Sequence, residues 1–214
     1  MSRARARRPT ATRTALVVAL TAGVLLACSG DDDAAVGDTV VTTAAPETTP
    51  APETTAAPEP TSDDGYLFTA PGGDFRVVFP GEPSSEPLSV PLPDGSVIDT
   101  TIFLYDTMAG ALVVNVSQYP DEYDTSDTRG VLEGSRDGAV ENVGGRLESS
   151  ELITLQGRDG IRFRAQVEAE GFSGEYAAAT FIDGQSLYQV GGVAFDPAQI
   201  DVDAFIGSFE FTDG

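Results

Sequence analysis

The stretch GEYAAATFIDGQSLYQVGGVA, residues 174–194, carries the clearest fold signal in the chain. Two apolar runs flank Asp183 and Gly184, and both of these residue types tolerate positive φ. Such a dipeptide between two apolar runs is a strong β-hairpin signal. We therefore expect two neighbouring antiparallel strands here.

Patterns on either side predict further strands and two helices. Residues 160–169 alternate apolar and polar side chains as a half-buried strand does, and further strands are predicted at 74–79, 96–106, 111–119 and 148–155. Residues 125–145 change to helical spacing, with Thr125 or Ser126 as the N-cap. A short last helix is predicted to start at Asp196 or Pro197. The order of strands, helix, strands and helix predicts an α+β domain, an antiparallel β-sheet packed with two or more helices.

The predicted hairpin concentrates small side chains on its two strands. Such residues leave a hollow in the face of a sheet, where an acyl chain or a peptide could lie. They equally allow a helix to pack close to the sheet, and that interpretation is the favoured one. The candidate ligand groove consists of Ala177, Ala178, Ala179, Gly191 and Gly192.

The first 27 residues have the features of a secretory signal peptide. Five arginines and no acidic residue precede an apolar run from Ala15 to Ala27, which is too short to span a membrane stably. The sequence LLAC, ending at Cys28, resembles the lipobox of bacterial lipoproteins. The resemblance implies cleavage before Cys28, the only cysteine, and a lipid on its thiol. Two or three acyl chains hold a protein firmly on a membrane. We therefore expect lipid anchoring at the extracytoplasmic face of the cell membrane.

Residues 28–64 are predicted to be a disordered linker. They contain three hexamers, TTAAPE, TTPAPE and TTAAPE, with no aromatic residue and too little apolar bulk for a core. From residue 65 onwards the chain holds every tyrosine and phenylalanine. Residues 65–214 are therefore predicted to form a single globular domain.

Charge and missing residue types exclude several functions. The chain has 34 acidic residues, all of them after Cys28, against 12 basic ones, and it has no histidine. A strongly acidic chain repels nucleic acid, so nucleic-acid binding is excluded. Without histidine or a second cysteine, catalytic triads and zinc sites have no ligands or bases. We predict no catalytic residue, no metal and no cofactor.

Acidic residues leave two weaker alternatives open. The clusters at 121–127 and 196–203 could supply oxygen ligands for calcium, although capping and solvation of helix starts explain them more simply. A pair of carboxyl groups across a cleft could also serve a glycoside hydrolase. No motif supports either alternative.

Four segments, FRVVFPGEP, the glycine-studded helix, LYQVGG and AFIGSFEF, resemble the Mog1/PsbP-like fold in their pattern and order. Small exported lipoproteins of actinobacteria, including the LpqN type, use this fold. The resemblance covers about residues 66–212 and rests on no catalytic motif. It implies a non-enzymatic accessory or binding role.

The predicted function is that of an envelope-anchored lipoprotein whose domain binds an envelope protein and is not an enzyme. A carrier or chaperone of a hydrophobic envelope lipid is the first alternative. A carboxylate-dependent hydrolase is the second.

Overall fold

The computed structural model describes residues 65–92, 95–169 and 172–212, which contain ten strands and two helices. The helices are α1 (Thr128–Asn142) and α2 (Val202–Gly207). The strands are β1 (Tyr66–Thr69), β2 (Phe75–Phe79), β3 (Ser84–Pro91), β4 (Val97–Asp106), β5 (Gly110–Gln118), β6 (Gly145–Leu155), β7 (Arg158–Ala169), β8 (Phe172–Asp183), β9 (Ser186–Ala194) and β10 (Glu210–Phe211). The predicted α+β class is confirmed.

Seven strands form one antiparallel sheet in the order β3-β4-β5-β9-β8-β7-β6. The predicted hairpin of β8 and β9 lies within it, and Asp183 pairs with Ser186 across the turn. The turn residues are Gly184 and Gln185, not Asp183 and Gly184, because strand pairing continues through Asp183. Gly184 has a φ of +59°, which suits the first central position of a tight hairpin turn.

A second sheet of three strands, in the order β1-β2-β10, packs with α2 on one face of the large sheet. We call this face of the large sheet the small-sheet face. Its core is aromatic: the Phe75 ring stacks on that of Phe209 with centroids 5.2 Å apart. The Gln156 carboxamide joins the two sheets, because its Oε1 accepts from the Phe211 N–H at 2.7 Å and its Nε2 donates to the Phe211 carbonyl at 2.9 Å.

The helix α1 packs on the opposite face of the large sheet, against β6, β7 and β8. We call this the helix face. Leu132, Ser135, Ala139 and Val140 are the buried residues of α1, at the spacing of one helical stripe. The apolar ones join sheet residues in a second core. The predicted helix is therefore confirmed.

The N-caps differ from the predicted ones. Asp127 caps α1, since its side chain accepts from the Gly130 N–H at 3.0 Å, three residues on. Thr125 instead donates its hydroxyl to oxygens of the β8–β9 turn. The second helix begins at Val202 with Asp201 as its cap. Asp196 accepts from the Ala198 N–H in the preceding turn and does not start the helix.

Replacing Asp127 with alanine is expected to lower the free energy of unfolding by about 1 kcal/mol, because the Gly130 N–H loses its acceptor. Urea unfolding of the full chain measures the change. Glu122→Ala, in the exposed loop before the helix, is the matched control and should change stability little. Equal stability of Asp127→Ala and Glu122→Ala would contradict the cap.

Candidate functional site

The small residues of the hairpin are neighbours, but they divide between the two faces of the large sheet. Ala177 pairs with Gly192, and Ala178 pairs with Gly191. Because side chains alternate along a strand, Ala177, Ala179 and Gly192 belong to the small-sheet face. Ala178 and Gly191 belong to the helix face. All five residues are buried, and the three alanines belong to the apolar cores.

Both glycines lie against the backbone of neighbouring strands. A Cβ added to Gly191 would lie 2.4 Å from the carbonyl oxygen of Ala177, and one added to Gly192 would lie 2.2 Å from that of Ala111. No single groove contains all five residues, since the sheet itself separates the two groups. Ligand uptake at Ala178 and Gly191 on the helix face stays a prediction.

A row of polar side chains, which the sequence patterns did not predict, crosses the helix face. Asn115 of β5 pairs with Gln189 of β9, and Gln189 pairs in turn with Thr180 of β8. We call these three residues the polar row. Their exposed fractions are 1% for Asn115, 3% for Gln189 and 0% for Thr180. Three polar side chains thus lie side by side within a buried sheet face.

The hydrogen bonds within the polar row are incomplete. Asn115 Nδ2 donates to Gln189 Oε1 at 3.2 Å. Asn115 Oδ1, Gln189 Nε2 and Thr180 Oγ1 have no partner among the described residues. Ser135 Oγ, on the buried stripe of α1, has none either. Native proteins pair most buried polar atoms, so this concentration of unpaired ones calls for a physical explanation.

Two further polar residues on the same face are hydrogen-bonded to each other. Thr100 of β4 and Ser117 of β5 lie opposite each other, and their hydroxyl oxygens are 2.9 Å apart. Both residues are as deeply buried as the polar row. Burial alone therefore does not leave a hydroxyl on this face without a partner.

The exterior is dominated by carboxylates. Each of the seven arginines in the described part of the chain forms an ion pair with an aspartate or glutamate. The pairs are Arg76–Glu210, Arg129–Glu133, Arg136–Asp137, Arg146–Glu148, Arg158–Asp183, Arg162–Asp203 and Arg164 with both Asp203 and Glu175. No described cation is left over to neutralise the other acidic residues.

Asp203 is the centre of the ion-pair network that joins α2 to β7. Its Oδ1 accepts from Arg162 Nη2 at 2.7 Å and from Arg164 Nη2 at 2.6 Å. The hydrogen bond from Arg164, assisted by that from Arg162, lowers the pKa of Asp203 below its usual value. The Arg162–Asp203 ion pair is half exposed, so water screens it and its contribution to stability is modest.

Lowering the pH should weaken the ion-pair network at Asp203 and so reduce the stability of the fold. A carboxyl whose pKa is lower in the folded state stabilises the fold above its unfolded pKa, about 3.9 for Asp. That contribution is lost as the pH falls from this value through the folded pKa. Asp203→Asn should therefore reduce the loss of stability below about pH 4, by less than about 1 kcal/mol. Unfolding curves between pH 7 and pH 2 test this. Glu82→Gln, at an exposed carboxyl with no described ion pair, should leave the profile as in the parent chain.

The two acidic clusters serve local backbone contacts. In the first, Asp124 and Asp127 accept backbone N–H groups, and in the second Asp196 and Asp201 do so. Asp127 and Asp201 are helix N-caps, as the capping interpretation expected, whereas Asp124 and Asp196 accept from the N–H two residues on in the preceding turns. Over the described ranges, no group of three or more Asp, Glu, His or Cys side chains is placed to hold a metal ion.

Three carboxyl groups in the described part of the chain have shifted pKa values. The carboxyl pKa shifts found in the described part, at Asp124, Asp203 and Glu210, are all downward and are caused first by side-chain hydrogen bonds. A general acid at neutral pH needs the opposite shift. None of the three therefore has the environment of a hydrolase acid.

Cys28, the signal peptide at 1–27 and the linker at 28–64 lie outside the described residues. Within the described part, no helix is both long and apolar enough to cross a membrane. Lipidation of Cys28 stays a prediction.

Comparisons with known proteins give distant likenesses only. No family model matches the chain, and no curated protein matches it. The cyanobacterial PsbP (CyanoP) of Synechocystis sp. PCC 6803 is similar over 73% of this chain and 98% of its own, with 12% identity and a TM-score of 0.48. LpqN of Mycobacterium tuberculosis, a protein involved in cell envelope biogenesis, is similar over 60% of this chain and 91% of its own, with 15% identity and a TM-score of 0.42. A protein of Bacteroides thetaiotaomicron is similar over 70% of this chain and 49% of its own, with 14% identity and a TM-score of 0.42. No family membership follows from these likenesses, and function is inferred from the residues of this chain.

Proposed function

We propose that the chain is an envelope lipoprotein, anchored by a lipid on Cys28, whose domain binds a basic surface of an envelope protein and is not an enzyme. The anchor is supported by the basic start, the short apolar run and the lipobox-like LLAC. The domain's role as a binding module is supported by its surface charge.

The observation that carries the choice of partner is the pairing of every described arginine with a carboxylate. The cations are neutralised within the domain, while many exposed carboxylates make no described ion pair. These include Glu82, Glu86, Asp121, Glu122, Asp159 and Glu168. Such a surface repels nucleic acid and anionic lipid headgroups and is complementary to a cationic protein surface.

The linker suits a module that must find a partner at some distance. Residues 29–64 are rich in proline and threonine, and a proline-rich spacer extends by up to about 3 Å per residue. The domain could therefore reach on the order of 100 Å from the bilayer when the linker is fully extended. This reach favours a protein partner elsewhere in the envelope over a lipid in the same membrane.

Native mass spectrometry of the protein, extracted gently from its own envelope, tests the anchor. We expect a mature chain that begins at Cys28 and carries the mass of the added acyl groups. An unmodified Cys28 would disprove the anchoring. A further lipid retained by residues 65–214 would instead favour the lipid-carrier alternative.

Cross-linking in intact cells, followed by a binding measurement on the captured envelope protein, tests the partner. The affinity should fall by about tenfold or more between low and high salt, because charge attraction is screened. Neutralising the exposed loop with Asp121→Asn and Glu122→Gln should weaken binding. Ser173→Ala, an exposed and uncharged position on β8, is the matched control. A salt-independent affinity would rule out the proposed basic partner.

A further inference from the structure

We propose that the polar row forms an internal binding site for a small uncharged molecule that offers a hydrogen-bond donor and acceptor close together, as a carboxamide does. The site lies on the helix face of the large sheet, where β5, β9 and β8 are neighbours. It is independent of the acidic exterior on which the proposed function rests.

The unpaired atoms provide the first argument. A buried polar atom without a partner reduces folding stability, whereas an apolar side chain of the same shape would not. Thr180 could be valine at no cost in volume, yet its hydroxyl has no partner and the residue is 0% exposed. A bound molecule that pairs with these atoms accounts for polar side chains at three adjacent positions.

The types of atom define the chemistry of the ligand. Gln189 Nε2 can only donate, Asn115 Oδ1 can only accept, and the hydroxyl of Thr180 can do either. The ligand must therefore present both an acceptor and a donor. One carboxamide group does so with its oxygen and its nitrogen.

The surroundings of the site exclude a charged ligand. The side chains of the polar row are neutral, and the described arginines are engaged with carboxylates elsewhere. Tyr176, on the same face, is fully buried, and burial raises its pKa, so it is also neutral. Burying a charge without a counter-charge is costly, so an uncharged molecule is favoured.

The residues next to the polar row have small side chains or none. Ala178 and Gly191 lie two residues along β8 and β9 from Thr180 and Gln189, and they point to the same face. They are two of the five small residues of the candidate groove. On this face they lie beside unpaired donors and acceptors, a combination that suits a molecule with a polar group and a small apolar part.

A titration of the full chain, ¹⁵N-labelled in neutral detergent micelles, tests the site by NMR. The probe is acetamide, and acetate serves as its charged counterpart of the same shape. We expect saturable shifts of the Asn115 and Gln189 side-chain NH₂ signals with acetamide, with affinity in the millimolar range. Acetate should give no saturable shift. Absence of saturation with acetamide, or equal binding of acetate, would overturn the proposal.

Isosteric variants separate the site from a merely structural role. Thr180→Val should weaken acetamide binding by about tenfold while leaving the chain folded and as stable or more so. Thr100→Val is the matched control, because Thr100 lies on the same face but is paired with Ser117. That variant should lower stability and leave acetamide binding unchanged. Should Thr180→Val fail to fold, Thr180→Ala, which also removes the hydroxyl, provides the same comparison. Unchanged acetamide affinity in the folded variant would overturn the site.

Discussion

Replacing Phe75 with alanine is expected to lower the free energy of unfolding by about 3–5 kcal/mol, the largest effect among the substitutions considered. The side chain of Phe75 is 1% exposed. Its ring lies 5.2 Å from that of Phe209 and 5.9 Å from that of Phe103, so it connects the three-stranded sheet to the seven-stranded one. Truncation removes these contacts and leaves a cavity that surrounding strands can fill only in part.

Urea or thermal unfolding of the full chain measures this loss. Leu67→Ala on β1 is the matched control, because Leu67 is 49% exposed on the same small sheet. It should cost no more than about 0.5 kcal/mol, as is usual for surface substitutions. If Phe75→Ala were no more destabilising than Leu67→Ala, the small sheet would not be held by this aromatic core.

Replacing Gly191 with alanine is expected to destabilise the large sheet by about 1–3 kcal/mol or more, the usual cost of overpacking. The added Cβ would lie 2.4 Å from the Ala177 carbonyl oxygen and 2.6 Å from the Ala178 Cβ. Both neighbours belong to an adjacent strand and cannot turn away as the end of a long side chain can. The strands β8 and β9 must therefore separate locally.

Gly207→Ala is the matched glycine control, and it should raise the free energy of unfolding, whereas Gly191→Ala should lower it. A Cβ at Gly207 meets nothing within 4 Å, and the residue ends the helix α2. Alanine there should stabilise the chain by about 0.4–1 kcal/mol by restricting the unfolded state. Similar stability of the two variants would mean that β9 does not approach β8 as closely as described. Because Gly191→Ala perturbs the sheet, it cannot test ligand binding, and Thr180→Val is the better probe.

The elements that sequence patterns predicted are those with strong periodicity or strong turn chemistry. The alternation of Ile161, Phe163, Ala165 and Val167 predicted β7, and all four side chains lie in the core of the helix face. The helical spacing of Leu132, Ser135 and Ala139 predicted α1 and its buried stripe. In both cases local side-chain spacing matches the face that is buried.

The strands that were missed lack such patterns. The strand β3 contains Pro87 and Pro91 and lies at the edge of the large sheet, where a missing N–H can face away from the ladder. The strands β1 and β10 are only four and two residues long. They are strands because both pair with β2. The β1–β2 pairing is local, whereas the β10–β2 pairing joins residues distant in the chain.

The candidate sites were also predicted only in part from the sequence. Sequence patterns identified the small residues of the hairpin, and the hairpin register makes Ala178 and Gly191 neighbours. The polar row was not recognised, although Asn115 and Thr180 stand out as polar residues within apolar strands. Its members come from three strands, and nothing in the chain order shows that β5 pairs with β9.

By itself, the sequence determined the features that depend on local composition: the signal-like start, the proline-rich composition of residues 28–64, the excess of acidic residues and the periodic strands and helix. Only the tertiary structure decided which faces these strands bury, and it placed the small residues on opposite faces of the sheet. It also brought the unpaired atoms of Asn115, Thr180 and Gln189 onto one face. The physical reason is that side-chain alternation sets two faces for each strand, while long-range pairing decides which strands share a face and what covers it.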